Sequence, residues 1–216
     1  MKNTRRMALV ALMFALVIIF TFVPIQFGTV TLGLMILPVL IIAQLEDFKT
    51  TMIVTIFMAL ANFLAWYTVK AGALLAPVFQ NPLVCIFPRV LIGINAYFTG
   101  KLMKKLLVKP IYDITTLDDG TEKKVLQNKI KVDAMENLSS LIATAVGVLT
   151  NTLFVGLMAV LLFNGRSFIS GAQTTTMTPQ FIVGCFSINF VIEIICFSVI
   201  VPPIVYALKK VSSVRF

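Results

Sequence analysis

The chain reads as an all-α integral membrane protein, a six-helix transmembrane bundle with both termini in the cytoplasm, and three observations predict it. Of its 216 residues 59% are hydrophobic, with a mean hydropathy of +0.98, more than a soluble domain needs to fill its core. The apolar residues gather in runs separated by polar connections, as lipid-crossing helices require. The basic residues are lopsided: fifteen fall on one side of the bundle so drawn, and Lys70 and Arg166 on the other. Basic residues stay in the cytoplasm, and an even number of crossings brings both ends to that side.

Helices are predicted over about residues 6–23, 33–45, 50–67, 83–98, 138–163 and 179–208, within one membrane domain covering 1–216. The first follows Lys2, Arg5 and Arg6 and stops at Pro24; its length and the lack of a small-residue cleavage site mark it as a retained helix. The second is short for a crossing and carries Pro38, so it is expected to be tilted, kinked or enclosed by neighbours. Glu46, Asp47 and Lys49 mark a membrane exit before the third helix. Lys70, Gly72, Pro77, Gln80, Asn81 and Pro82 form the connection to the fourth. Residues 100–137 are predicted to be a cytoplasmic polar loop with a partly ordered or amphipathic piece, turning at Asp118, Asp119 and Gly120. Two long apolar runs complete the chain.

Only Arg89 and Glu193 place a charge inside these runs. An ionisable group within a span is costly unless it faces a partner, a cavity or a ligand, so each marks a candidate site. The planar fork of Arg89, about 10 Å below the outer surface, suits a carboxylate or phosphate. Pairing with Glu193, or with carbonyls near Pro82 and Pro88, is the structural alternative. Glu193 is a candidate acceptor for ligand hydroxyls or amides, or a protonated and inert group. Asn62, Asn95, Asn151 and Asn189 also lie within spans, where each needs a hydrogen-bond partner in a helix neighbour or in a ligand. Asn189 shares a helix face with Glu193. Ala8, Ala11 and Ala15 line one face of the first helix and allow close approach by another helix, of this chain or of a partner. Trp66, Tyr67 and Phe79 read as an interfacial belt, with ligand stacking as the alternative.

The net charge of +9 is explained by basic residues flanking spans, so no nucleic-acid partner is expected. The chain has no histidine, which excludes His-based metal sites and Ser-His-Asp triads, and no metal site is expected. Cys85, Cys185 and Cys196 are odd in number and lie in apolar runs, as buried thiols do. No Gly-x4-Gly-Lys-Ser/Thr loop is present, so energy for transport would come from another subunit. An intramembrane enzyme with Glu193 as general base lacks a second catalytic group; a non-transporting assembly protein is the third class.

Asn81-Pro82-Leu83-Val84 running into Pro88-Arg89-Val90-Leu91-Ile92-Gly93, the Ala11–Ala15 step, Gly147-Val148-Leu149-Thr150-Asn151-Thr152, and Glu193 followed by Val201-Pro202-Pro203-Ile204-Val205 occur in order along nearly the whole chain. Together they resemble the substrate-binding S components of energy-coupling-factor vitamin transporters, most closely the pantothenate-type branch. The resemblance implies a multi-pass protein of the bacterial cell membrane that is not an enzyme and binds no cofactor. It would capture a vitamin and dock through Ala8, Ala11 and Ala15 on a transmembrane coupling subunit, with ATP hydrolysed by two cytoplasmic ATPase subunits. Pantothenate offers a carboxylate for Arg89, and hydroxyls and an amide for Asn151, Asn189, Glu193 and Gln26, with Asn62 a further candidate. Related branches take hydroxymethylpyrimidine, riboflavin, folate or cobalamin. The 101–137 insertion is longer than the resemblance leads one to expect.

Overall fold

A computed structural model describes residues 2–23, 25–27, 30–73, 75–108, 112–116, 122–126, 129–170 and 173–213; the side chains of Gln26 and Cys185 lie outside the described part. From the N-terminus, α1 (Lys2–Phe22) leads through an antiparallel hairpin, β1 (Ile25–Phe27) with β2 (Val30–Leu32), to α2 (Ile36–Leu45) and α3 (Phe48–Ala65). Two single-turn helices follow, α4 (Ala76–Phe79) and α5 (Pro82–Cys85), then α6 (Phe87–Leu107). A second hairpin, β3 (Tyr112–Thr116) with β4 (Glu122–Leu126), precedes α7 (Lys129–Phe163). A third, β5 (Ser167–Ser170) with β6 (Gln173–Thr176), precedes α8 (Pro179–Ser213).

The short helix α2 is the centre of the bundle. Every residue from Ile36 to Gln44 is buried, because α1, α3, α6, α7 and α8 all pack around it. This explains why its sequence is apolar on every face: a helix enclosed all round has no polar side to present. Pro38 is its third residue, where the N–H would have no intrahelical acceptor, so the proline costs no hydrogen bond and requires no kink. At ten residues α2 is about 15 Å long, half the thickness of a hydrocarbon core. β2 packs against α8.

Four stretches are long and apolar enough to cross a membrane: Phe48–Ala65, Pro82–Leu107, Lys131–Phe163 and Pro179–Lys210; Arg6–Phe22 and Ile36–Leu45 are shorter apolar helices. The six predicted runs thus divide into four of crossing length and two below it. The hairpins depart from a purely helical reading, since strands this short carry too little alternation to be legible. The predicted polar loop over 100–137 is corrected too. α6 continues to Leu107 and α7 begins at Lys129, leaving a shorter connection that holds the β3–β4 hairpin. Hydropathy marks where lipid ends, whereas Lys101, Lys104, Lys105, Lys131 and Glu136 are good helix formers that carry both helices onward.

One end of the bundle gathers the termini and most charges. Arg6 binds Glu46 at 2.6 Å and also Asp47, which caps α3. Lys209 pairs with Glu136 at 2.8 Å, and Tyr206 donates to Asp133 at 3.0 Å. The Thr50 hydroxyl, with Arg6 beside it, holds the exposed Asp47 carboxyl below its usual range. In the middle, α3 and α6 approach so closely that a Cβ on Gly93 would collide with Thr55. This contact fixes α6, and with it Arg89, against α3.

Candidate functional site

At the end of the bundle away from the termini, proline chemistry creates the setting for Arg89. Asn81 caps α5 through a side-chain bond to the Leu83 N–H at 3.0 Å, with Pro82 in the first turn. Pro88 has no N–H to give the carbonyl four residues back, so the helix breaks at Ile86 and the Val84 carbonyl is left open. Arg89 fills the gap: its Nη1 donates to Cys85 O at 2.7 Å and Val84 O at 3.3 Å. The side chain is only 4% exposed and lies over the Phe79 ring at 5.3 Å. Its Nε is buried without a hydrogen-bond partner. One half of the guanidinium is therefore structural, holding carbonyls near Pro88, and Nε is a spare donor.

Glu193, on α8, is 5% exposed. No ion pair joins it to Arg89 among the described residues, although the two charges lie close enough to act on each other. Its Oε1 accepts the backbone N–H of Gly33 at 2.9 Å. A Cβ at Gly33 would sit 2.8 Å from that oxygen, so glycine is what lets the backbone come this near. Glu193 thereby ties the connection between α1 and α2 to α8.

Asn62 is fully buried on α3; its Nδ2 donates to Cys85 Sγ at 3.2 Å and its Oδ1 accepts from Lys70 Nζ at 3.2 Å. It shares Cys85 with Arg89, which brings the two residues into one cluster. Asn151 is half-buried on α7 and its Oδ1 is buried without a partner; it lies one turn before Val155, which packs in the apolar cluster containing Phe79. Asn189 is half-buried one turn from Glu193. Asn95 donates to Thr150 at 3.0 Å and so bridges α6 to α7. The backbone of Gln26 pairs with Thr31 in the first hairpin. On α1, Met13, Val17 and Thr21 face inward while Ala8, Ala11 and Ala15 are exposed.

Three residues set aside as a loop cation and belt aromatics turn out to belong to the Arg89 cluster. The chain turns back after α3, with the Lys70 N–H on Ala65 O at 2.9 Å, and this returns the ammonium to Asn62 and to the Trp66 ring at 5.4 Å. Trp66 stacks on Phe79 with ring centroids 4.5 Å apart, and its indole Nε1 is buried without a partner. Burial, and next the like charge of Arg89, push the Lys70 pKa down to about 8. The signal for Lys70 was present in the charge count: it stands among apolar runs on a side that holds no loop carboxylate.

A separate cleft of about 530 Å³ lies between α7 and α8, lined by Asn137, Leu141, Ser198, Pro202 and Tyr206. Its wall is mostly apolar and holds none of the residues above, so size alone does not make it the site.

Comparison with known proteins bears on this arrangement. The chain is similar in structure to ThiT from Listeria monocytogenes, with a TM-score of 0.60 and 14% identity, covering 97% of this chain and 98% of that one. At that identity the likeness is one of fold. No curated protein matches the chain significantly. The family model "ECF transporter, substrate-specific component" matches residues 5–205. With nearly its whole length matched, the chain belongs to the substrate-specific components of ECF transporters.

Proposed function

We propose that this chain captures a vitamin, pantothenate in the first instance, at the end of the bundle away from its termini. It delivers the vitamin inward as part of a complex with a transmembrane coupling subunit and two ATPase subunits. The termini face the cytoplasm in this reading, six helices cross the bilayer, and the solute is received from outside. The chain itself binds no cofactor and catalyses no reaction; the partners hydrolyse ATP.

The observation that carries the reading is Arg89, buried with a spare donor at Nε while its Nη1 is held by the Val84 and Cys85 carbonyls and its face lies over the Phe79 ring. A buried guanidinium with an unused donor suits a carboxylate that brings its own charge. Glu193 and Asn151 supply acceptors for hydroxyl and amide groups of the same molecule.

Calorimetric titration of the purified chain tests the reading, first with pantothenate, then with hydroxymethylpyrimidine, riboflavin, folate and cobalamin. Saturable heat with pantothenate is expected. Heat with another vitamin alone reassigns the solute, and no heat with any of them from a folded chain overturns capture. Isolation of the native complex separates the remaining classes: a coupling subunit and two ATPases should accompany this chain.

A further inference from the structure

We propose that Lys70 and Arg89 act together as the receiver for a carboxylate of the transported solute, with the Trp66 indole N–H as a third donor beside them. This rests on the capture reading above and names the chemical class that the site selects.

Apart from Glu193, every carboxylate in the sequence falls at residues 46–47 or 113–136, and of the described ones Glu46, Asp47, Asp133 and Glu136 sit at the terminus end of the bundle. Lys70 and Arg89 stand at the opposite end. Their charges repel one another, and neither forms an ion pair among the described residues. Glu193 acts on Arg89, whereas the charged or titratable groups acting on Lys70 are Arg89 and the Cys85 thiol. Two partly or fully buried cations side by side are costly unless an anion is supplied. Among the described residues no side chain supplies it to Lys70.

The donors are also convergent. Asn62 Oδ1 holds Lys70 Nζ at 3.2 Å, and the same Asn62 bonds Cys85 Sγ at 3.2 Å, while the Cys85 carbonyl holds Arg89 at 2.7 Å. Residues on α3, the following turn, α5 and α6 thus fix both cations around one point. The stacked Trp66 and Phe79 rings close the same cluster, each beneath one cation, at 5.4 Å and 5.3 Å. Spare buried donors remain on Arg89 Nε and Trp66 Nε1. The spare groups of Arg89 and Trp66 are both donors, the complement of a carboxylate, which only accepts. Lys70, with its pKa near 8, adds a limit on the alkaline side: as pH rises past that value the ammonium and its attraction are lost.

The test uses the full chain in detergent, with pantothenate and its neutral alcohol, panthenol, as paired probes. Emission from Trp66, the one tryptophan in the sequence, reports on the site directly. Wild type is expected to prefer pantothenate about ten- to hundredfold and to lose part of that preference, the share Lys70 supplies, as pH climbs above about 8. Lys70→Met should narrow the preference and flatten the pH profile, while Lys70→Arg keeps the preference and removes the alkaline loss. The wild-type pH profile is a variant-free check should either protein fold poorly. Full preference in Lys70→Met, or a wild-type preference indifferent to pH, overturns the proposal. Tight binding of a vitamin without an acid group, unaffected by Lys70→Met, also overturns it and leaves vitamin capture intact. Failure of folded wild type to bind any vitamin removes capture itself and this inference with it.

Discussion

Glu193 Oε1 accepts the Gly33 N–H at 2.9 Å, so a buried carboxylate on α8 fastens the connection that leads into the short helix α2. A hydrogen bond to a charged acceptor contributes about 1.5–3 kcal/mol. Removing it with Glu193→Ala should release this connection and raise the solute dissociation rate about tenfold or more. Glu193→Gln keeps an oxygen for Gly33 and should fall between. Stopped-flow dissociation followed through Trp66 emission measures this, and equal rates in all three proteins would mean the bond does not hold the connection.

What could be read in advance divides along physical lines. Apolar runs reported the helices, because lipid imposes a composition that any crossing segment must obey. Arg89 and Glu193 stood out for the same reason, as exceptions to that composition. Trp66 and Phe79 were hidden, and Lys70 showed only as a cation without a loop carboxylate on its side, since a cation and two aromatics at a membrane interface are what an ordinary belt contains. Only the fold-back after Ala65, which joins Lys70 to Asn62, distinguishes them. The Gly33–Glu193 bond pairs residues 160 positions apart, and no local pattern encodes that. The ends of α6 and α7 were misplaced because helical propensity continues after hydropathy stops.

Lys70 should make stability depend on pH even without a solute. Its pKa falls to about 8 in the folded chain from the ordinary lysine value of 10.5, so between these values the unfolded chain binds more protons. Stability therefore rises with pH across that window, and below about 8 the full cost of the buried charge is present. The melting midpoint of wild type should increase by a few degrees from about pH 7 to about pH 9.5, and Lys70→Met should lose that increment. Parallel pH profiles for the two proteins would show that the ammonium is better solvated than its surroundings indicate.

The proposed capture gives Arg89 a second job beside holding the Val84 and Cys85 carbonyls, and substitution should separate the two. Arg89→Ala strands the carbonyls of Val84 and Cys85 and removes the spare Nε donor, so both melting midpoint and pantothenate affinity should drop, the latter about a hundredfold. Arg89→Lys restores a charge that reaches a carbonyl yet lacks the fork, and should recover stability more than affinity. Recovery of both in equal measure would assign Arg89 to scaffolding alone.

The exposed alanines of α1 carry the last prediction. α1 turns Met13, Val17 and Thr21 into the bundle and is pinned at its start by Arg6 on Glu46, which leaves Ala8, Ala11 and Ala15 facing outward. Small side chains on an outward face let a second helix come close, where packing is the main attraction available between helices in lipid. Ala11→Leu and Ala15→Leu each add bulk there without touching the buried face, so the isolated chain should fold and bind its solute as wild type does. Recovery of the coupling subunit in a pull-down from membranes should fall several-fold for each and further for the pair. Undiminished recovery with the double variant would move docking to another face, whereas loss of solute binding together with recovery would show that α1 supports the fold and not the contact.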